Sequence, residues 1–354
     1  MPLEDFIKES AGKWMDGDGP ESDTVISSRV RLARNLSEIP FPYLMSKEDS
    51  EEITKKVNKV LQENSPNEFE LVTMRDLSFL ARKALVEKHL ISPSLADNDN
   101  GAAIIRYDEV VSIMVNEEDH LRIQTLFSGQ QLEKAWQLCN KIDDILEARL
   151  NYAFSEQMGY LTSCPTNVGT GIRVSVMVHL PALIMTGQLN RIFSTISQVG
   201  LTVRGLYGEG TQAIGNIYQI SNQITLGQTE SEIIENLNGV TKQIIEQERA
   251  VREVLLKERK AKLCDKIGRS YGIISNAYII SSEEAIQLLS DVRLGVELGL
   301  LENINLKMLN ELMILIRSAY LQELAGKELS PYERDVRRAE IIRNRFAELD
   351  LGGV

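Results

Sequence analysis

The chain has 354 residues, 43% hydrophobic and 25% charged, and its 51 acidic against 39 basic side chains leave a net charge of -12. That length accommodates about two domains, and the acidic balance argues against a general nucleic-acid binder, which needs a basic face. No apolar run reaches the roughly 18 residues of a membrane helix and the opening MPLEDFIKESAGKW has no basic-then-apolar leader pattern, so a cytoplasmic location is expected.

Cys139, Cys164 and Cys264 are odd in number and widely spaced, which argues against a disulfide framework or a C-x-x-C metal site. Histidines occur only at 89, 120 and 179, so proton handling falls to carboxylates. Leu3, Phe6, Ile7 and Trp14 predict a short helix over 3–15, closed by the breaker run Asp16-Gly17-Asp18-Gly19-Pro20. Ser46 with Asp49 forms a capping-box pattern for a helix to about residue 63, and 76–90 repeats a helical period. From 102 the period changes to 2, predicting a hairpin through Asp108-Glu109 and a further strand over 121–126.

A helix over about 130–150 follows, then a strand at 172–178, a helix across 181–199, and strands at 201–206 and 216–225. Residues 229–262 read as a long connecting helix, and 282–299, 305–317 and 331–349 as helices, the last opening with Pro331 in its first turn. The expected class is α+β, an antiparallel or mixed sheet with helices on one face, followed by an α-helical C-terminal domain. The expected boundaries are 1–23 for a lead-in, 24–254 for a catalytic domain and 255–354 for the helical domain.

Four segments set arginine or glutamate at the edge of strand-like runs. In Ser27-Ser28-Arg29-Val30-Arg31 the two arginines leave the same face of an extended segment, which suits either an exposed polar strand or a phosphate clamp. Asn116-Glu117-Glu118-Asp119-His120-Leu121-Arg122 puts three acids beside a buried-looking strand, where they repel one another unless a cation compensates them. The others are Cys164-Pro165-Thr166-Asn167-Val168-Gly169-Thr170-Gly171-Ile172-Arg173 and Arg204-Gly205-Leu206-Tyr207-Gly208-Glu209-Gly210, whose glycines let backbone approach a nucleotide or a carboxylate closely. Cys164 fits either a small buried thiol or a thiolate that helps hold an acceptor. No Walker loop and no H-R-D or D-F-G pair is present.

Taken in order, these motifs resemble the catalytic domain of the phosphagen (guanidino) kinase family over residues 24 to about 250. Only 26 residues precede the first motif, whereas about 90 follow the connector, an arrangement similar to the bacterial protein-arginine kinases of that family. The tail run Arg334-Asp335-Val336-Arg337-Arg338-Ala339 resembles their phosphoarginine-binding motif, with Arg334 and Arg338 one helical turn apart. The resemblance implies transfer of the γ-phosphoryl of ATP, with Mg2+, to arginine side chains of protein substrates. It implies that Glu118 and Glu209 grip the guanidinium and accept its proton, with Cys164 assisting, while Arg29, Arg31, Arg122, Arg173 and Arg204 hold the phosphates. It carries nucleotide contacts to Ser27, Ser28, Val30, His89, Val174, Ser175, Val176, Met177, Gly205, Leu206, Tyr207 and Gly208, and allosteric phosphoarginine contacts to 334–339.

It also implies an activating zinc-binding adaptor (McsA-type), a Clp ATPase/protease, a stress-gene repressor and a homodimer, with no direct nucleic acid and no membrane. Met177 stands where small-substrate members usually have histidine, and Gln212 where an acid is common. Two other functions fit the motifs: a metabolic kinase acting on a free guanidino compound, and a non-catalytic phosphoarginine-binding adaptor.

Overall fold

In a computed structural model, residues 12–205 and 213–351 are described. The strands are β1 (Val25–Arg34), β2 (Phe69–Thr73), β3 (Ala102–Arg106), β4 (Val111–Val115), β5 (Leu121–Ser128), a small β6 (Phe154–Ser155) and β7 (Gly159–Tyr160) ribbon, β8 (Ile172–His179), β9 (Leu201–Gly205) and β10 (Ile217–Asn222). The helices are α1 (Lys47–Asn64), α2 (Phe79–Glu87), α3 (Pro93–Ala96), α4 (Leu132–Glu147), α5 (Pro181–Met185), α6 (Leu189–Gln198), α7 (Glu230–Glu258), α8 (Lys260–Asn276), α9 (Ser282–Glu297), α10 (Leu306–Leu315), α11 (Ser318–Ala325) and α12 (Pro331–Leu351).

Eight strands form one sheet in the order β2-β3-β4-β5-β1-β8-β10-β9, with every described neighbour antiparallel. The expected α+β class with an antiparallel sheet is what the structure shows. Because side chains alternate across a strand, β1 sends Val30 and Leu32 into a core with Ile123, Val174 and Val176, while Arg29 and Arg31 leave the other face. On the apolar side, α4 buries Leu132, Ala135, Cys139, Ile142 and Leu146, a helical stripe, and α7 buries Ile233, Ile234, Leu237, Ile244 and Ile245.

The arginine-bearing face is covered only toward one end. There Ile26, Leu126, Met177 and Ile217 join Trp14, Met15, α2 and the C-terminal helices in a second core. Glu297 of α9 is buried against Arg293 (2.7 Å), Arg252 of α7 (3.1 Å) and His179 of β8 (3.5 Å), tying the helical region to the strand that carries Arg173.

The capping boxes at Ser46 with Asp49 and at Thr229 with Glu232 start α1 and α7. Elsewhere the helical readings ran long. The helix expected over 181–199 is two, parted at Gly187, whose positive φ of 71° ends the first. The connector breaks at Arg259 (φ -131°), while the helix expected over 305–317 is α10, and α11 beyond it was not expected. The edge strand β2 went unread because five residues between two helical patterns carry little period. Of the expected 3–15 helix, only the 3-10 turn Lys13–Met15 falls among the described residues.

Candidate active site

Strand register assembles the site. Arg31 lies opposite Gln124 on β5 and Arg173 on β8, Ala33 opposite Arg122, Arg29 opposite Ser175, and Gln219 of β10 opposite both Met177 and Arg204. Directly opposed side chains on adjacent strands stand about 4.5–5.5 Å apart at Cβ, so residues from five strands share one face. A cleft of about 210 Å3 on that face is lined by Arg31, Arg122, Arg173 and Arg204 together with Glu118, Cys164, Thr166, Asn167 and Gln219. Arg29 is the next residue along the same face, donating to Gln219 Oε1 (2.8 Å) and Ser175 Oγ (3.3 Å). All five arginines therefore converge.

This concentration of cations is costly without an anion. Burial, with Arg122 and Arg173 nearby, pushes the Arg29 guanidinium down to about 10, and Arg31 and Arg173 are lowered for the same reasons. Arg31 Nε is buried with no hydrogen-bond partner. Five guanidinium groups against Glu117 and Glu118 leave three positive charges without local compensation among these groups, and a polyphosphate supplies it.

The acidic turn divides its three carboxylates by role. Asn116, at φ 59°, turns the β4–β5 hairpin. Glu117 is buried against Arg122 Nη1 (2.6 Å) and accepts from Ser92, while Asp119, fully buried, accepts from Asn35 Nδ2 (2.6 Å) and Ser163 N (2.7 Å). His120 is also structural, its Nδ1 accepting from Leu36 N at 3.0 Å. Glu118 alone faces the cleft, 45% exposed, with Arg122 Nη2 donating to it at 3.0 Å. Spacing alone could not distinguish it from its neighbours.

Cys164 Sγ reaches the cleft beside Thr166 Oγ1 at 3.0 Å. Its loop is held by Thr225, whose hydroxyl donates to Thr166 O (2.9 Å) and Val168 O (2.8 Å). Gly169 and Gly171 have positive φ (110° and 67°), and a Cβ on Gly171 would lie 2.6 Å from Ala33 O. At both glycines protein backbone fills the space a Cβ would need, Thr225 O at Gly169 and Ala33 O at Gly171. The side chains of Val30, Val174 and Val176 turn into the opposite core, and Ser28 Oγ donates to Gly129 O there (2.8 Å). Leu206, Tyr207, Gly208, Glu209 and Gln212 lie outside the described residues, whereas Gly205 ends β9.

Beyond Arg29 the face becomes apolar. Trp14, Ser27, His89, Leu126, Ser175, Met177 and Gln219 enclose a tight recess, with the Trp14 and His89 rings edge-on at 5.7 Å. Burial, then Arg29 and Arg317, push His89 down to about 3, so it is neutral in the fold. The unfolded chain binds a proton that the folded one refuses below pH about 6.5, so this contribution to stability is present above that pH and is lost as pH falls toward 3. The loss is at most about 1.4 kcal/mol per pH unit. Denaturant titrations at pH 7, 6 and 5 are expected to show a shallower fall for His89→Asn, since asparagine tolerates the positive φ of 60°; parallel curves would contradict the assignment.

The 334–339 segment lies on α12. Arg338 is buried, donating to Ile316 O and Ile280 O (both 2.9 Å) and to Asp335 (2.5 Å), and Ala339 is packed in the core. Arg337 pairs with Glu340 at 2.6 Å and is 40% exposed. Arg334 and Arg337, rather than Arg334 and Arg338, are thus the more accessible guanidinium groups. Sequence reasoning missed Gln219, Ser92 and Trp14; the alternation in Ile217-Tyr218-Gln219-Ile220-Ser221 was the signal for the first.

An arginine-lined sheet face with a carboxylate at its rim defines a site for moving a phosphoryl group between a nucleotide and a cationic acceptor. A family model described as ATP:guanido phosphotransferase, C-terminal catalytic domain, matches residues 52–251, and the chain belongs to that family. A second, described as Protein-arginine kinase McsB C-terminal domain, matches 260–352. The chain is 53% identical over 347 residues to the protein-arginine kinase of Halothermothrix orenii, covering 98% of this chain and 99% of that one. It is 50% identical over 356 residues to that of Bacillus subtilis, covering 100% and 98%.

Among solved structures it resembles, in fold, a duplicated taurocyamine kinase from Schistosoma mansoni (TM-score 0.59, 24% identity, 72% of this chain and 38% of that one). A lombricine kinase gives 0.58 and 23%, over 70% and 77%.

Proposed function

We propose that this chain transfers the γ-phosphoryl group of ATP to a guanidino nitrogen of arginine side chains in proteins. The observation that carries the reading is the convergence of Arg29, Arg31, Arg122, Arg173 and Arg204 on one sheet face with Glu118 at its rim. In the reaction an N–P bond forms as the bond from the γ-phosphorus to the bridging oxygen of ADP breaks. The guanidinium loses a proton to a carboxylate, Glu118 or Glu209. Because a guanidinium holds its proton above pH about 12 in water, alignment and charge stabilisation supply most of the acceleration. Mg2+ fits best on the nucleotide: no group of three or more His, Cys, Asp or Glu able to hold a metal occurs among the described residues.

The names of the relatives support a protein acceptor, and the 260–352 match supports phosphoarginine sensing through Arg334, Asp335, Arg337 and neighbours. We extend the reading to an allosteric cytoplasmic homodimer that marks proteins for a Clp protease and acts on a stress-gene repressor, under a zinc-binding activator. No helix among the described residues is long and apolar enough to cross a membrane.

Incubation with Mg-ATP and either free arginine or an unfolded arginine-rich protein tests the activity. Acid-labile phosphate mapped to arginine of the protein by mass spectrometry under non-acidic conditions is expected. Label on the free amino acid alone would reject the protein acceptor in favour of a metabolic guanidino kinase.

A further inference from the structure

Next to the cleft a second cavity of about 340 Å3 opens on the same sheet face, and Arg31 lines both. Its wall includes Arg29, Arg31, His89, Ser92, Gln124 and, from the C-terminal helical region, Arg317. We propose that Arg317 is a further nucleotide-binding residue, facing the polyphosphate alongside Arg29 and Arg31; this rests on the kinase reading above.

The backbone that carries Arg317 is fixed on both sides. Arg317 is the N-cap residue of α11, and its own N–H bonds Ile314 O at 3.0 Å. The preceding Ile316 is fully buried and its carbonyl accepts from Arg338 Nε at 2.9 Å. The following turn is held by Glu87, whose carboxylate accepts from Ala319 N (3.0 Å) and Tyr320 N (2.8 Å). A guanidinium on so constrained a base reaches a ligand with little reorganisation.

The chemistry of the wall selects an anion. Three guanidinium groups stand with the Ser92 hydroxyl and the Gln124 amide, against one carboxylate in the lining, that of Glu87, which accepts from the start of α11 and also meets the charge of Arg317. The charge of Arg317 contributes to keeping His89 neutral. Arg31 Nε is buried without a partner between the two cavities. An anion seated on Arg31, which lines both cavities, and shared by Arg122 and Arg173 on one side and Arg29 and Arg317 on the other is best matched by one that carries several charges, as a triphosphate does. Forked, charge-assisted bonds to phosphate are among the stronger ones a side chain makes.

Equilibrium binding to the full chain tests this. R317Q is expected to raise the Kd for MgATP about tenfold or more, to leave adenosine affinity unchanged and to lessen the salt dependence of ATP binding, with the KM for a protein substrate unmoved. A folded R317Q that binds MgATP within twofold of wild type overturns the assignment. Should R317Q fail to fold, labelling of the wild-type chain with phenylglyoxal and peptide mapping decides: MgATP, but not adenosine, is expected to protect Arg317, and equal labelling with and without MgATP overturns the proposal. Failure of the wild-type chain to bind MgATP would instead overturn the kinase reading itself.

Discussion

Replacing Arg31 with glutamine is expected to lower kcat/KM by about 10^3 to 10^5, the range for removing a guanidinium that neutralises a phosphoryl group in flight. Arg31 stands at the middle of the face, between Gln124 and Arg173 in register, and it lines both the cleft and the adjoining cavity. Its own protonation is strained by burial and by Arg29, Arg122 and Arg173. The substitution therefore removes like-charge repulsion from the unliganded protein. Thermal unfolding without nucleotide should be unchanged or raised, while the stabilisation that MgATP gives the wild type should largely vanish, because only the liganded state profits from that charge. A variant less stable than wild type without nucleotide, and still stabilised by MgATP, would show that Arg31 has a structural anion on the protein instead.

Glu118→Gln is expected to lower kcat by about 10^2 to 10^4, the usual scale of a positioned acid or base, with little change in Kd for MgATP. The amide keeps the shape of the side chain but cannot hold a guanidinium by charge or take its proton. Arg122 stays in place because Glu117, buried beneath it, remains its partner at 2.6 Å. Single-turnover kinetics with saturating MgATP separate the chemical step from binding. A rate within threefold of wild type would move both the grip and the proton transfer away from Glu118.

Several features of this site were readable from the chain because they are local. Alternation of polar and apolar residues in Ser27 to Arg31 and Ile172 to Met177 dictates which side chains share a face, whatever the neighbouring strands are. The same alternation turns the side chains of Val174 and Val176 away, so of the run Arg173 to Met177 only Arg173, Ser175 and Met177 present theirs to that face. A backbone that needs positive φ and no Cβ can be inferred, but what fills the space cannot, and at Gly171 it is Ala33 O.

The content of each of the four motifs, the capped starts of α1 and α7 and the same-face pairing of Arg29 with Arg31 were determined by the amino-acid sequence itself, because each depends on residues only a few positions apart. Tertiary structure decided which acid of Glu117-Glu118-Asp119 meets the cleft, that Gln219 fastens Arg29 from 190 positions away, that Arg338 is locked onto carbonyls of Ile280 and Ile316, and that Arg317 arrives beside the sheet arginines. Burial and hydrogen-bond partners are properties of the surroundings, and those are brought together only when distant segments pack.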